Sequence, residues 1–348
     1  MIARPDLVRR LLVIKLRAVG DVLLSTVVLR SLRAAYPGAR MDFLTEPPSQ
    51  AFLRLHPDVD EVVVFDRTRR GGVQLIRDIR RRRYDLVLDL FGNPRTAVVT
   101  RFSGARWRAG YRFGWRRFAY SHVVEPRGGI VHNTQFNLDC LEALGIPVGS
   151  RELVFPTAPE DEATMEDVLR RAGLGSRPIV ALHAGGGWVT KRWPPGSFAL
   201  LGDLLEEGRM VDVVLPWGPG EESLVRELKG RMRRPAFVPP ATTLTQLGAL
   251  FRRCAAVVSN DSGPLHIAAA VGTRVLGIYG PTNPRLQGPY GEGHGVVRRE
   301  GLPCLGCNRT RCPIGLPCMR ELEPHQVLEA FDRMGCVPGA GSAGRGGL

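Results

Sequence analysis

Short apolar runs alternate with helix-like patterns along the first half of the chain. Each run has the length of a buried strand, and the segments between runs repeat their apolar residues at helical spacing. The predicted elements are, in order, a strand over Leu11–Lys15, a helix over Asp21–Tyr36, strands over Met41–Leu44 and Glu61–Phe65, a helix over Val73–Arg83 and a strand over Leu86–Leu90. This alternation predicts an α/β fold in which helices cover a parallel sheet.

A second alternating series follows the segment Gly145–Pro178, which contains four prolines and a helical pattern. We therefore predict two Rossmann-like domains, residues 1–160 and 161–338, that face a central cleft, with the last helix crossing back to the first domain. The predicted elements of the second series are strands over Ile179–His183, Val211–Leu215, Ala255–Ser259 and Val275–Tyr279, and helices over Gly196–Glu207, Glu221–Met232, Gly263–Val271 and Pro324–Met334.

The composition is that of a folded protein, because 44% of the 348 residues are hydrophobic. No run of about 18 apolar residues occurs, and the first residues lack the apolar core and cleavage site of a signal peptide. We therefore expect a cytoplasmic protein. The segment Gly339–Leu348 consists almost entirely of Gly, Ala, Ser and Arg, and we expect it to form a disordered tail.

The net charge of +14 is concentrated in the first half of the chain. Residues 1–150 contain 25 Arg and Lys against 14 Asp and Glu, a surplus of +11, and the remainder contributes +3. Nearly all of the positive charge is arginine, which pairs well with carboxylates and phosphates. The surplus indicates either an acidic partner or a generally basic, solvated surface.

The first segment with candidate chemistry is Lys15–Asp21, between the first strand and the first helix. Gly20 permits a tight turn, and Asp21 falls at the start of the helix, beyond the carboxyl end of the strand. A carboxylate at this position commonly caps the helix. The alternative is a general base that takes a proton from an attacking hydroxyl group.

The second segment follows the strand Ile179–His183. Its glycines Gly185, Gly186 and Gly187 let backbone N–H groups approach an anion, and Thr190 and Lys191 add a hydroxyl and a positive charge. This combination suits a diphosphate. The segment is neither a Walker A loop nor a G-x-G-x-x-G dinucleotide motif, and a turn without a ligand stays an alternative.

The third segment joins a strand to a helix at Asp261, Ser262 and Gly263. The N–H groups and dipole of a helix N-terminus favour phosphate, and His266 follows one turn later. Asp261 is alternatively a simple cap, and His266 a core residue. Together with the glycine loop, the segment predicts a diphosphate clamp within one domain.

Four cysteines lie within fifteen residues of a loop that is rich in Gly and Pro. Cys304, Cys307, Cys312 and Cys318 offer the ligand set of a structural zinc ion or an iron–sulfur cluster. Reduced thiols that pack the loop without metal are equally compatible with the spacing.

The chain resembles the ADP-heptose:lipopolysaccharide heptosyltransferases, which have the GT-B fold. The segments that carry the resemblance occur in the family's order: Gly20-Asp21, Thr190-Lys191-Arg192-Trp193-Pro194, Leu215-Pro216-Trp217-Gly218, Asn260-Asp261-Ser262-Gly263 through His266, and Tyr279–Pro284. The resemblance implies an inverting transfer of heptose from ADP-L-glycero-D-manno-heptose to the inner core of lipopolysaccharide, with no cofactor required for catalysis. The acceptor is either Kdo or a first heptose, since Trp217-Gly218 resembles the first transferase and Asn260-Asp261-Ser262 the second.

The resemblance also implies roles for individual residues. Asp21 would be the catalytic base, and Lys191 with Thr190 would bind the donor phosphates. Glu222 would meet the ribose, although Glu221 is an equal candidate because the register is uncertain by one residue. The donor diphosphate and sugar would be held by Asp261, Ser262, Gly263 and His266.

The acceptor implied by the resemblance is an anionic glycolipid at the inner membrane surface. Four arginines follow the strand Leu86–Leu90 in segments that we expect to face the cleft, and we predict that they bind this acceptor: Arg95, Arg112, Arg116 and Arg117. Peripheral association with the inner membrane is compatible with this arrangement.

Other functions fit parts of the pattern. A glycosyltransferase of surface polysaccharide synthesis with another nucleotide-sugar donor, or a sugar-nucleotide epimerase, would have a similar architecture. A non-catalytic nucleotide or nucleic-acid binding module would fit the charge. We expect no nucleic-acid partner, because no recognition motif is present and few aromatics are interleaved with the arginines outside Trp107–Tyr120.

Overall fold

The computed structural model describes residues 4–69 and 71–337. These residues form two compact units, of which unit 1 ends at Pro156 and unit 2 begins at Thr157. The predicted disordered tail, Gly339–Leu348, lies outside the described residues. No helix in the described ranges is both long and apolar enough to cross a membrane.

Unit 1 contains a sheet of six parallel strands in the order β3-β2-β1-β4-β5-β6. Its central strands are buried along almost their whole length, as expected when helices cover both faces of a parallel sheet. The strands are β1 (Arg10–Ile14), β2 (Arg40–Thr45), β3 (Glu61–Val64), β4 (Leu86–Asp89), β5 (Trp107–Tyr111) and β6 (His122–Val124).

The helix predicted over residues 21–36 is interrupted by a 3-10 turn at Thr26–Val28. Just before and within this turn, the hydroxyls of Ser25 and Thr26 donate to carbonyl oxygens three residues earlier, at 2.7 Å in both cases, which favours the tighter winding. The helices of unit 1 are α1 (Val19–Ser25), α2 (Leu29–Ala35), α3 (Gln50–Arg54), α4 (Gly72–Arg81), α5 (Pro94–Phe102) and α6 (Asn133–Ala143).

Unit 2 contains a sheet of five parallel strands in the order β11-β10-β9-β7-β8. All five residues of both β7 and β9 are buried, so only the loops at their ends are available to a ligand. The strands are β7 (Ile179–His183), β8 (Asp212–Val214), β9 (Ala256–Asn260), β10 (Arg274–Tyr279) and β11 (Gly295–Arg298).

Eight helices belong to the described part of unit 2. They are α7 (Pro159–Arg171), α8 (Pro195–Arg209), α9 (Glu222–Arg231), α10 (Leu244–Arg252), α11 (Gly263–Ala270), α12 (Pro284–Gln287), α13 (Pro317–Arg320) and α14 (Pro324–Arg333). The last helix, which we expected to cross back to the first domain, is part of unit 2 and packs against α8 and β11. An ion pair between Arg209 and Asp332 joins it to α8.

The core of unit 2 surrounds Trp193, which is completely buried. Its indole N–H donates to the Leu322 carbonyl at 2.9 Å, and its ring meets Phe198 edge to face. Because Trp193 directly follows the glycine-rich segment, this anchor fixes the carboxyl end of the loop that leaves β7.

Candidate active site

The carboxyl ends of β7 and β9 border a pocket of about 210 Å³ in unit 2. Apolar side chains and backbone polar groups share its wall, as is typical of small-molecule sites. The lining residues are His183, Gly186, Gly187, Trp217, Gly218, Pro219, Glu221, Thr242, Thr243, Leu244, Leu247, Ser262, Gly263 and Pro264. The glycine loop and the start of α11, which the sequence assigned to one clamp, therefore meet at this pocket.

The buried side chain of Asn260 joins these two elements. Its Oδ1 accepts from the backbone N–H of Trp193 at 3.0 Å, and its Nδ2 donates to the carbonyls of Ala184 at 2.7 Å and Gly185 at 3.2 Å. Both ends of the glycine loop are thus tied to the last residue of β9. Sequence reasoning quoted Asn260 only as part of a motif, although an amide at the end of an apolar strand signals a buried hydrogen-bonding role.

Glu221 also contacts the glycine loop, through its carboxylate group. One carboxylate oxygen accepts from the Gly186 N–H and the other from the Gly218 N–H, both at 2.9 Å, and His183 Nε2 lies 3.4 Å away. A Cβ atom at Gly185 would collide with this carboxylate, so the close approach requires glycine. Burial alone would raise the pKa of Glu221, but His183 and the two N–H groups outweigh it and lower the pKa to about 2.

The structure separates the two neighbouring glutamates that the sequence could not distinguish. The side chain of Glu222 is 65% exposed and pairs with Arg226 one turn later, whereas that of Glu221 is 15% exposed and lines the pocket. Glu222 borders a different hollow, between Trp217 and α9. Of the two candidates that the sequence left open, Glu221 is the one that lines this pocket.

Lys191 and Asp261 form an ion pair of 2.7 Å. The Asp261 oxygen that contacts Lys191 also accepts from the Thr282 hydroxyl at 2.6 Å and from the Gln287 amide at 3.2 Å. The ammonium group lies 4.6 Å from the centre of the Trp188 ring. A carboxylate cannot donate to a phosphate, so what the geometry shows for Asp261 is that it holds the Lys191 ammonium in position.

The N-terminus of α11 is open towards this pocket. Ser262 and Gly263 both line it, and within the described chain the Ser262 side chain does not cap the helix. The N–H groups of the first turn are therefore available to an anion. His266 is buried one turn further along α11 and does not line the pocket.

The hydroxyl of Thr190 is buried and donates to the backbone carbonyl of Arg309 at 2.9 Å. This bond connects the glycine loop to the cysteine-containing loop. A phosphate contact through the same proton would require the bond to Arg309 to break.

The four cysteines of this second loop lie close together, but they do not form a preorganised metal site. Burial, and then the neighbouring Cys304, Cys307 and Cys312, raise the pKa of Cys318 to about 11. Among the described residues, no group of three or more His, Cys, Asp or Glu side chains is arranged to hold a metal ion.

In unit 1, Asp21 is the third residue of α1 and is partly exposed. Its Oδ2 accepts from the backbone N–H of Ala18 at 3.3 Å, so it does serve as a cap for the first turn. The hydrogen bond to Ala18 uses one carboxylate oxygen of Asp21. The other carboxylate oxygen is compatible with a second role as a proton acceptor.

Two further charged groups lie near Asp21, at the ends of β1 and β4. The ammonium of Lys15 donates to the Leu90 carbonyl at 3.0 Å, and burial lowers the pKa of Lys15 against the opposing effect of Asp21 and Asp89. Asp89 is buried and accepts from the Tyr120 hydroxyl at 2.8 Å, and burial raises its pKa. Sequence reasoning assigned no role to either group, although each is a charged residue at the end of an apolar run.

The four arginines predicted to bind an acceptor have different surroundings. Arg112 pairs with Glu125 at 2.5 Å, and Arg116 donates to the Phe113 carbonyl at 2.8 Å. Arg95 and Arg117 stack on the rings of Phe65 and Phe118, respectively, and the side chain of Arg117 borders an open hollow with that of Arg112.

A family model described as glycosyltransferase family 9 (heptosyltransferase) matches residues 73–316. The chain belongs to this family. It is therefore a glycosyltransferase, and the family resemblance read from its motifs is confirmed.

Individual relatives agree with the family assignment. Lipopolysaccharide heptosyltransferase 1 of Pseudomonas aeruginosa is 30% identical over 331 residues, 87% of each chain. A family 9 glycosyltransferase from Veillonella parvula superposes with a TM-score of 0.82 at 23% identity, over 94% of this chain and 97% of its own. The E. coli heptosyltransferase WaaC, solved with ADP, gives 0.71 at 22% identity, over 93% and 99%. The predicted GT-B fold of two Rossmann-like domains is confirmed.

The two neighbouring glutamates of this heptosyltransferase-family protein provide a matched pair of variants. We expect Glu221→Gln to lower the free energy of unfolding by about 1–3 kcal/mol at neutral pH, because two backbone N–H groups and His183 lose a charged acceptor. Glu222→Gln should change it by no more than about 0.5 kcal/mol, since its ion pair is exposed. Urea unfolding measures both values.

The contribution of Glu221 to the free energy of unfolding depends on pH in a defined direction. A pKa lowered from 4.5 to about 2 stabilises the folded state above pH 4.5, and this contribution is lost as the pH falls towards 2. The difference between the wild type and Glu221→Gln should therefore shrink on acidification. A constant difference, or equal losses for the two variants, would contradict the assignment of Glu221.

Proposed function

We propose that this glycosyltransferase moves heptose from ADP-L-glycero-D-manno-heptose to the inner core of lipopolysaccharide, with inversion at the anomeric carbon. The acceptor sugar is either Kdo or a first heptose. The observation that carries the proposal is the pocket of unit 2, where the glycine loop meets the open N-terminus of α11. Lys191 pairs with Asp261, the residue just before this N-terminus. This is the combination of positive groups that a departing nucleoside diphosphate requires.

The donor diphosphate would lie between Gly187 and the first turn of α11, because the Gly186 N–H already donates to Glu221. These backbone N–H groups and the ammonium of Lys191 would stabilise the negative charge that develops on the leaving ADP. Asp261 would hold Lys191 in position, together with Thr282. Ser262 and Gly263 provide the helix N-terminus of this clamp, and His266 is proposed to support the donor sugar.

The ribose of the donor would bind beside Glu221 rather than Glu222. Glu221 faces the pocket with an ionised carboxylate, which is a strong acceptor for hydroxyl groups. Trp217, Leu244 and Leu247 provide the apolar part of the wall, which suits the adenine ring. The diphosphate clamp and the nucleoside site are thus adjacent in one pocket.

Asp21 would act as the general base. The acceptor hydroxyl must lose its proton as it attacks the anomeric carbon, and a carboxylate at the carboxyl end of β1 can accept it. The side chain of Lys15 lies close to this carboxylate at the end of β1. Capping of α1 by the Asp21 side chain would fix its orientation.

We expect Asp21→Asn to lower kcat by ~10²–10⁴ while the Kd for ADP-heptose stays within about twofold, because the carboxylate acts on the acceptor proton. Asn retains the capping bond to Ala18, so the fold should be preserved. Steady-state kinetics and calorimetric titration measure the two quantities. Unfolding of the variant, or loss of donor binding, would show that Asp21 is only a cap.

For the clamp, we expect Lys191→Ala and Asp261→Ala each to weaken ADP-heptose binding by about tenfold or more, since a charged hydrogen bond is worth roughly 1.5–3 kcal/mol. Lys229→Ala, which removes an exposed lysine from the same unit, is the matched control. Transfer should also continue in EDTA, because Lys191 and the N–H groups neutralise the leaving diphosphate. Strict dependence on added Mg²⁺ would contradict this clamp.

The acceptor is proposed to be an anionic glycolipid that contacts unit 1 through Arg95, Arg112, Arg116 and Arg117. These groups belong to the half of the chain that holds +11 of the net charge. Attraction between exposed charges is screened over roughly 8 Å at physiological ionic strength. Acceptor binding should therefore depend on salt more strongly than donor binding, whose contacts are partly buried.

Neutralising Arg112, Arg116 and Arg117 together should raise the KM for acceptor and leave the Kd for donor unchanged, because the donor pocket belongs to unit 2. Steady-state kinetics of the wild type and the triple variant across a salt series test both the predicted salt dependence of acceptor binding and the predicted rise in the KM for acceptor. Equal salt sensitivity of the two substrates, or unchanged acceptor kinetics in the triple variant, would show that this charge is only a solvated surface.

The metal predicted for Cys304, Cys307, Cys312 and Cys318 stays a structural proposal with no step in catalysis. The observation that supports the metal is that the four thiols lie close together. Their side chains would have to move closer to coordinate the ion. We expect about one zinc ion or one iron–sulfur cluster per chain in anaerobically purified protein. Elemental analysis that finds neither would remove the proposal.

A further inference from the structure

Residues 90–124 form an unusually basic and aromatic segment of unit 1. These 35 residues contain seven arginines and eight aromatic residues, and neither Asp nor Glu. The segment includes α5, β5 and the 3-10 helix Gly114–Ala119, and α5 packs against that 3-10 helix. The acceptor proposal above uses four of the arginines but gives no role to the aromatic side chains.

Several large apolar side chains of this segment point to solvent. Trp115 and Phe118, on the 3-10 helix, are 61% and 70% exposed, and Phe102, at the end of α5, is 50% exposed. Val98 lies one turn before Phe102 on α5 and is also exposed. Single exposed apolar residues are normal, but four on two elements that pack against each other are a concentration of exposed apolar surface that favours a partner.

Two arginines of this segment lie close to the rings of the exposed phenylalanines. The guanidinium of Arg117 is 5.3 Å from the centre of the Phe118 ring, and that of Arg101 is 5.8 Å from the Phe102 ring. Trp115 and Phe118 line a hollow of about 410 Å³ with Arg112 and Arg117. Phe102, Trp115 and Phe118 are therefore each bordered by a positive charge.

We propose that this surface, formed by Val98, Phe102, Trp115 and Phe118 with the surrounding arginines, docks on an anionic lipid bilayer. Aromatic side chains enter the boundary between head groups and acyl chains, while arginines pair with lipid phosphates. The segment itself has no acidic residue that a negative surface would repel, and the exposed carboxylate next to it, Glu125, is paired with Arg112. The inference deepens, and rests on, the proposed glycolipid acceptor.

A bilayer fits this surface better than a nucleic acid does. Base stacking needs open ring faces, and Arg117 already covers one face of Phe118. The exposed aliphatic Val98, one turn from Phe102, offers nothing to a base but adds apolar area for lipid. The surface thus combines both requirements of interfacial binding, apolar insertion and attraction of anionic head groups.

Sedimentation with vesicles tests the proposal without donor or acceptor. The wild type should sediment with vesicles of phosphatidylglycerol and phosphatidylethanolamine, remain in the supernatant with pure phosphatidylcholine, and be released by high salt. The variant Trp115→Ala/Phe118→Ala should bind the anionic vesicles about tenfold more weakly. Met210→Ala/Ile314→Ala, which removes two exposed apolar side chains of unit 2, should bind as the wild type does.

Fluorescence provides a second readout that does not depend on the double variant. Tryptophan emission of the wild type should shift to the blue on anionic vesicles, and Trp115→Phe should bind but lose most of that shift. Wild-type protein that ignores anionic vesicles, equal binding by the Trp115/Phe118 variant, or preferential binding of a single-stranded oligonucleotide would overturn the inference. Since no sugar transfer is measured, failure of the proposed reaction would leave this result unaffected, and the reverse also holds.

Discussion

The side-chain amide of Asn260 joins the two anion-binding elements of unit 2. It lies at the end of β9, one residue before Asp261, and it holds both ends of the loop that leaves β7. Without the Asn260 side chain, two carbonyl groups of the glycine loop and the N–H group of Trp193 would lose their hydrogen-bond partner. Each unsatisfied group would cost about 1–3 kcal/mol of stability. The pairing of Lys191 with Asp261 depends on the same anchor, because Lys191 belongs to that loop.

The donor and acceptor roles that we propose for the two units follow from where their charged residues lie. Unit 2 gathers a compact, partly buried set of groups around one pocket, which suits a diphosphate of fixed shape. Unit 1 presents arginines stacked on exposed aromatic rings, which suits a large, anionic and lipid-linked partner. Asp21 and Lys15 lie at the carboxyl end of β1, where a parallel sheet directs its functional side chains.

The buried strands were predictable and the shorter elements were not. Apolar runs such as Ile179–His183 match the structure to the residue, because burial on both faces of a parallel sheet leaves a continuous hydrophobic signal. Three strands near the sheet edges, β5, β6 and β11, were missed because they are short or interrupted by glycine and charged residues. The helix α10 was also missed, although its capping box of Thr243 and Gln246 was a readable signal.

The site could be predicted to the level of segments. The sequence brought together the glycine loop, Lys191 and the start of α11, but it could not decide between Glu221 and Glu222, because the direction of each side chain depends on where α9 begins. It also left out Asn260, whose role exists only when two strands distant in sequence become neighbours.

Calorimetric titration of ADP-L-glycero-D-manno-heptose into the wild type and Asn260→Ala tests the central claim most directly. The account predicts that the wild type binds this donor in preference to UDP-linked sugars. It also predicts that the variant loses most of the affinity together with part of its stability, which circular dichroism measures under the same conditions. Equal binding by the two proteins, or no preference of the wild type for the ADP-linked sugar, would contradict it.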